Sequence, residues 1–348
     1  LLLLGRAAEA VTGAQAAATA EAGNPQHQFL LGQAQIAAGN FAEAHAAFTR
    51  AQELCPEFAA EITPERERGW ATAFQAGLTA LQANDTATAV ARWEAANTLF
   101  PARPDAHYNL GVVYAGRGDL ARASQAYRQA LQIASQPTTD TAEVAGRAET
   151  RQNAMAGLLS IGAQQFSANQ FQPAAETFRH LTTVDPNNRD AWYNYGLALY
   201  KMERWDELVP VAQRLVQIDP LNENARVILF NAYKSPSEAA RAARNTARQR
   251  ELEGQALRVY EELTNLPVYV DQVRFQTPEG GTGALTGQVM GNRANAGTPV
   301  NLTFTFYGPT GTMGTQSVTV QAPAKGQAAP FRVPLPAGTV TSFSYTYR

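Results

Sequence analysis

One cysteine, Cys55, stands in 348 residues, so no internal disulfide framework can hold this chain. It precedes Pro56 at the end of a helical pattern, where a small apolar side chain would serve as well. Histidine is scarce too: His27, His45, His107 and His180 are scattered, and none has a Cys, His or Glu partner at metal-ligand spacing. Only Lys201, Lys234 and Lys325 are lysines among 28 basic residues, which reads as genomic bias rather than chemistry. The net charge of -2 provides no basic field to draw nucleic acid or an anionic membrane. No run approaches the ~20 apolar residues of a membrane span. No glycine-rich loop joins a strand to a helix, and no serine sits in a nucleophile elbow. Glu65-Arg66-Glu67-Arg68 alternates in sign as a solvated face does, and Gly280-Gly281-Thr282-Gly283 reads as a flexible turn. Neither a catalytic site nor a cofactor is expected.

What the chain does have is self-similarity. Five times a glycine is followed, twelve residues on, by a small or apolar residue, usually a ring four later, and a closing proline. The units are Gly32, Ala44, Phe48, Pro56; Gly77, Ala89, Trp93, Pro101; Gly111, Ala123, Tyr127, Pro137; Gly162, Ala174, Phe178, Pro186; and Gly196, Leu208, Ala212, Pro220. Gly77 to Gly111 and Gly162 to Gly196 each span 34 residues, the mark of a stacked repeat. The longer intervals place insertions near 57–68 and 136–151, read as an extended helix start and a loop at Thr138-Thr139-Asp140-Thr141. Leu1-Leu2-Leu3-Leu4 fits the remnant of a signal-peptide core, or better a truncated repeat over 1–25, since Gly5-Arg6-Ala7-Ala8-Glu9-Ala10 lies 34 residues before Gly39-Asn40-Phe41-Ala42-Glu43-Ala44.

Apolar spacing of three and four predicts helices almost throughout 1–265. Repeats fall near 26–58, 70–103, 104–137, 155–188 and 189–222, and a degenerate helix over 222–234 ends the solenoid at 235. Ser235 would cap a new helix with Pro236 in its first turn. Residues 236–265 then form one long capping helix with a polar outer face and a buried stripe of Leu252, Ala256, Leu257, Tyr260 and Leu263. After Leu266-Pro267 the apolar period becomes two, as in Val300, Leu302, Phe304, Phe306 and in Phe343, Tyr345, Tyr347. Turn clusters at 278–283, 291–299, 308–314, 323–330 and 336–338 divide 268–348 into about six strands, which suits a small antiparallel sandwich. This segment carries net +3 and the helical part -5.

Trp192-Tyr193-Asn194-Tyr195-Gly196-Leu197-Ala198-Leu199-Tyr200, with Gln28–Pro56 and Asp105–Ala130, resembles the tetratricopeptide repeat (TPR) family over residues 1–235. The fifth unit departs from it, with Leu208 and Ala212 for the usual small residue and ring. The resemblance implies an all-α superhelical solenoid whose first helices line an inner groove that holds protein segments. Phe304-Thr305-Phe306-Tyr307-Gly308 and Gly287-Gln288-Val289-Met290-Gly291-Asn292 resemble the FxLYD domain, a bacterial extracytoplasmic β-sandwich, with Gly308 in place of its Asp. The fold class is thus multidomain: a TPR solenoid followed by a small all-β sandwich.

The candidate binding residues form a row. Three before each glycine stand Phe29, Phe74, Tyr108, Leu159 and Tyr193; four later come Gln33, Leu78, Val112, Ala163 and Leu197; three further, Ile36, Leu81, Ala115, Phe166 and Tyr200. Spacings of four and seven share one helix face. That face is either exposed groove or inter-helix core. At the C-terminus Phe343, Tyr345 and Tyr347 lie on a strand able to present a free edge.

These features suit a non-enzymatic scaffold for protein–protein contacts outside the cytoplasm, at the cell surface, in the periplasm or in the medium. One form is head-to-tail self-assembly of groove and β-domain into a homopolymeric filament. Alternatives are an envelope adaptor holding a different protein in the groove, and the recruiting subunit of an enzyme.

Overall fold

Seven residues after each repeat glycine the chain turns through the left-handed region, at Gly39, Asn84, Gly118, Asn169 and Glu203 (φ 78°, 60°, 74°, 58° and 57°). In each case the next N–H reaches back to a carbonyl five residues earlier, as from Asn40 to Gln35, Asp85 to Ala80, Asp119 to Tyr114, Gln170 to Gln165 and Arg204 to Leu199. That closure satisfies helix-end carbonyls and folds each repeat into a helical hairpin. The computed structural model describes residues 1, 4–138, 140–276, 283–309 and 311–348. The expected turn at 278–283 falls almost wholly outside them, as does Thr139 of the expected loop.

The chain forms two compact units, Leu1–Gly157 and Leu158–Arg348. In the first, the lone helix α1 (Ala7–Ala20) lies on α2 (Pro25–Ala38) as the second helix of a truncated hairpin would. Hairpins follow from α2 with α3 (Phe41–Leu54), α4 (Ala59–Gln82) with α5 (Thr86–Leu99), and α6 (Asp105–Gly116) with α7 (Leu120–Ala134). The insertion near 57–68 is a short turn and the extended start of the 24-residue α4; that at 136–151 leads into the 27-residue α8 (Thr141–Ser167), inside which the units divide. Side-chain caps set several starts: Asn24, Asp85 and Asp119 accept from the N–H of Gln26, Thr88 and Arg122.

The repeat glycines are where the hairpins close up. A Cβ on Gly32 would lie 2.5 Å from Phe48, on Gly111 2.6 Å from Tyr127, and on Gly162 2.6 Å from Phe178, with Gly77 as tightly set against Trp93. Each ring sixteen residues on fills the hollow its glycine leaves. At Gly196, where Ala212 replaces the ring, the nearest atoms are Leu208 and Val211 at 3.6 Å, ordinary contact.

The second unit continues with α9 (Phe171–Val184), α10 (Arg189–Lys201) and α11 (Trp205–Ile218). Beyond it the structure corrects the sequence reading. No helix ends at Ser235: α12 (Glu223–Ala242) runs on through Pro236, and the turn comes at Arg244 (φ 57°) before α13 (Thr246–Thr264). The Asn245 N–H bonds Ala240 O, the same closure as in the other hairpins. The expected degenerate helix and capping helix are therefore one more hairpin, its first helix two turns longer. On α13 Leu252, Ala256 and Val259 are buried, while Leu257 and Tyr260 are 57% and 51% exposed and do not belong to the buried stripe.

Six described strands make two three-stranded antiparallel sheets: β1 (Val268–Gln276), β2 (Ala284–Gly291) and β5 (Ala328–Pro334) in the order β1-β2-β5, and β4 (Gly311–Gln321), β3 (Pro299–Gly308) and β6 (Ser342–Tyr347) in the order β4-β3-β6. Their inner faces share a core of Val270, Leu285, Val289, Leu302, Phe304, Phe306, Val333 and Tyr345 that also takes in Leu221 and Leu266 from the helical part. Gly308 has a steric reason: a Cβ there would lie 2.9 Å from Thr339 O and 2.7 Å from Met313 Sδ, so no Asp fits.

Candidate protein-binding surface

The first position of the row is packed, not free. Phe29 is buried, with ring centroids 5.9 Å from Phe48 and 5.8 Å from Phe58. Half-buried Phe74 stacks on Trp70 at 4.8 Å, and its carbonyl accepts from Trp93 Nε1 at 3.2 Å. Tyr108 lies 5.8 Å from Tyr127, whose hydroxyl burial pushes up to about 12. Leu159 and Tyr193 are half-buried as well. The rings of Phe29 and Tyr108 thus reach the second helices of their hairpins, at Phe48 on α3 and Tyr127 on α7.

The later positions divide. Ile36 is buried, and Gln33 donates to Glu65 at 3.0 Å. Phe166 and Tyr200 meet Phe171 and Trp205 edge-on at 5.2 and 5.4 Å, each bridging from the end of a first helix to the start of the second. Leu78 and Leu197 are half-buried. Val112 and Leu81 stand out, 43% and 38% exposed.

Their exposure is part of a pattern that sequence reasoning did not find. In the first unit the exposed large apolar side chains after α1 are Leu30, Leu81, Val112 and Val144, on α2, α4, α6 and α8. Every one is on the first helix of its hairpin, and none on α3, α5 or α7. Counted from the repeat glycine at about 100° per residue, Leu30, Val112 and Leu81 fall near 160°, 100° and 40°, within about a third of the circumference. A period search misses this because the three occupy different repeat positions. In the second unit Leu257 and Tyr260 are exposed beside half-buried Phe230, whose ring lies 6.0 Å from that of Tyr260 and beneath the Lys234 ammonium at 5.7 Å.

The polar groups hold structure. Glu65-Arg66-Glu67-Arg68 is not one solvated face. Arg66 is half-buried, 2.7 Å from His45 Nδ1, 3.0 Å from Thr49 Oγ1 and 3.4 Å from Leu99 O, and burial lowers both Arg66 and His45. Glu67 pairs with Arg103, itself 3.1 Å from Glu143. Burial also lowers His107. The Cys55 thiol donates to Glu57 at 3.1 Å, and that bond raises its pKa, the reverse of activation. Among the described residues no three His, Cys, Asp or Glu side chains gather closely enough to hold a metal.

The C-terminal strand departs from its expected role. Phe343 and Tyr345 are not a presented edge but are buried at 6% and 2%; Tyr347 is half-buried. The Tyr345 hydroxyl donates to Asp219 at 2.5 Å and accepts from the Leu221 N–H at 3.1 Å. Ser342 donates to Asp185 at 2.9 Å. Arg189 spans the junction, 3.5 Å from Asp219, donating to Val273 O at 3.1 Å, with its guanidinium over Phe343. Burial pushes Asp219 up despite Arg189, and lifts Tyr345 well above its ordinary range. Strand β6 is thus engaged by its own chain, which leaves it unsuited to head-to-tail docking.

Models of the tetratricopeptide repeat match residues 28–58, 74–137 and 164–223, so the helical region carries tetratricopeptide repeats, and the fold is a TPR solenoid followed by a region of two small antiparallel sheets. Among solved structures, a MamA protein is 14% identical, aligned over 56% of this chain and 89% of its own with a TM-score of 0.32. MamA 41-end from Desulfovibrio magneticus RS-1 is 16% identical, over 57% and 94%, with a TM-score of 0.28. YrrB, described as a TPR protein with an unusual peptide-binding site, is 16% identical, over 59% and 92%, with a TM-score of 0.31. No curated protein sequence matches the chain.

Proposed function

We propose that this protein is a non-enzymatic scaffold that holds a protein partner against the first helices of its tetratricopeptide repeats. One observation carries the reading: in the first unit, from α1 onward, the exposed large apolar side chains are confined to first helices, at Leu30, Leu81, Val112 and Val144. Scattered exposed leucines need no explanation, but a one-sided distribution over four successive first helices fits a contact surface. The reading places the scaffold outside the cytoplasm, supported by the likeness of the Phe304–Gly308 strand to FxLYD domains. A photo-cross-linking residue at 81 or 112 tests it in the native cell. Discrete adducts there, and none from Gln129 on the exposed face of α7, are expected. Equal labelling at all three positions removes the distinction on which the proposal rests. Another copy of the chain is itself a candidate partner.

A further inference from the structure

A sheet edge carries a row of unpaired backbone donors and acceptors, and folded proteins blunt it with charge, proline, a bulge or a cover. Three of the four edges here are blunted so. Strand β1 breaks register between Asp271 and Arg274, turns through Gln272 at φ 54° and carries both charges. Strand β5 holds Pro330 and Pro334, which have no N–H to offer. Strand β6 has α10 and α11 against it, with Ser342 and Tyr345 bound to Asp185 and Asp219.

The fourth edge, β4, is different. Met313 bulges out, since Phe306 faces Gly314 while Tyr307 faces Thr312, and from Gly314 to Gln321 eight residues run in unbroken register with β3. They include no charge and no proline, and no charged residue occurs between 311 and 324. Thr315, Gln316, Ser317, Thr319 and Gln321 are exposed, and β4 pairs with β3 alone, while β5 of the other sheet lies against it without pairing.

We infer that this edge joins two copies of the chain, β4 to β4, antiparallel about a two-fold axis through Ser317. The two three-stranded sheets become one of six strands. An axis normal to the sheet keeps faces matched: Ser317 meets Ser317, and Thr315 meets Thr319, on the outer face. Gln316 meets Val318, and Gly314 meets Val320, on the other. Hydroxyl pairs across strands hydrogen-bond, as Thr303 and Ser317 already do at 2.9 Å within the chain. A strand meeting its own copy sets like charges near one another, and β4 has none to set. A different partner strand would gain selectivity from complementary charge, and β4 has none to offer it, so the second copy is the occupant the chemistry favours. The contact is isologous and closes as a dimer. It specifies the self-association arm of the scaffold reading on a surface apart from the first helices, so dimer formation and cross-linking at 112 succeed or fail separately.

Size-exclusion chromatography with light scattering tests it on the full chain. Wild type should run at twice its 37.5 kDa at high micromolar concentration. Ser317→Lys sets two lysines opposite each other and should give monomer with an unchanged circular dichroism spectrum. Mixing it with Ser317→Glu should restore a heterodimer. In a Cys55→Ala background, Ser317→Cys should oxidise to a linked dimer, because directly opposite Cα atoms stand about 4.5–5.5 Å apart, within disulfide reach. Gln129→Cys, on α7, should not. A monomeric wild type, an undiminished Ser317→Lys dimer, a Ser317→Cys variant that fails to link, or a particle larger than a dimer each overturns the pairing.

Discussion

Tyr345 donates its phenolic hydrogen to the carboxylate of Asp219 across 2.5 Å, joining the last strand of the β-region to the loop that ends α11. Asp219 is wholly buried, and its other oxygen is held by Asn222 at 3.1 Å and by Arg189 at 3.5 Å. Tyr345→Phe removes one donor from a buried carboxylate and the acceptor of the Leu221 N–H. We expect a loss of about 1–3 kcal/mol, read as a lower urea midpoint for the second unit.

The same pair gives a pH dependence of definite sign. The folded state raises Asp219 above its ordinary 3.8, so the stability carried by its protonated form is full below that value and is lost as pH rises through the folded pKa. Tyr345, raised above 10, adds a second loss on the alkaline side of 10. Asp219→Asn keeps an acceptor for Tyr345 and does not titrate. Its stability relative to wild type should improve steadily from acid to neutral pH in urea titrations. A constant difference between the two would contradict the sign.

Adding one methyl to each repeat glycine should separate the repeats. Gly32→Ala, Gly77→Ala, Gly111→Ala and Gly162→Ala each drive a Cβ into a ring and should cost about 1–3 kcal/mol. Gly196→Ala meets only ordinary contacts and gains helix propensity, up to about 1 kcal/mol. Thermal melting of the five variants should show four losses and one unchanged or raised midpoint.

Tyr108 and Val112, four residues apart on α6, should behave oppositely. Tyr108→Ala takes a ring from its contact with Tyr127 and should destabilise by about 1–3 kcal/mol. Val112→Asp changes an exposed side chain and should leave melting within about 0.5 kcal/mol while abolishing adducts at position 81.

Cys55 should react slowly with a thiol reagent at neutral pH, because its bond to Glu57 favours the protonated form. Glu57→Gln removes that carboxylate, and the rate should rise several-fold. An unchanged rate would show that the pair does not govern the thiol.

Much of the fold could be read in the chain because its signals are local and repeated. A glycine and a ring sixteen residues on predict a close hairpin, and a period of two predicts the strands. Pro236 misled because a proline usually marks a helix boundary, yet α12 is fastened on both sides of it and turns only at Arg244. Leu257 and Tyr260 looked like part of a buried stripe, but α13 meets α12 along Leu252, Ala256 and Val259 instead. The site was less legible still. Spacing shows that Phe29, Tyr108 and Val112 share a face, while a neighbouring ring decides which of them water reaches. The hydroxyl of buried Tyr345 is satisfied by Asp219, more than a hundred residues away, a partner that no local pattern reveals.

Asp185 and Asp219 occupy the same place in successive repeats, each just before the closing proline and 34 residues apart. Ser342 and Tyr345, which bind them, are three residues apart on one strand, a rise of about 10 Å. Neighbouring helices pack at about 8–10 Å, so the strand works as a gauge cut to the step of the solenoid. One repeat earlier the matching position, twenty-three residues after its glycine, is Ala134, which has no carboxylate to offer. The β-region is thereby matched to one pair of successive repeats, the two that each place a carboxylate just before the closing proline.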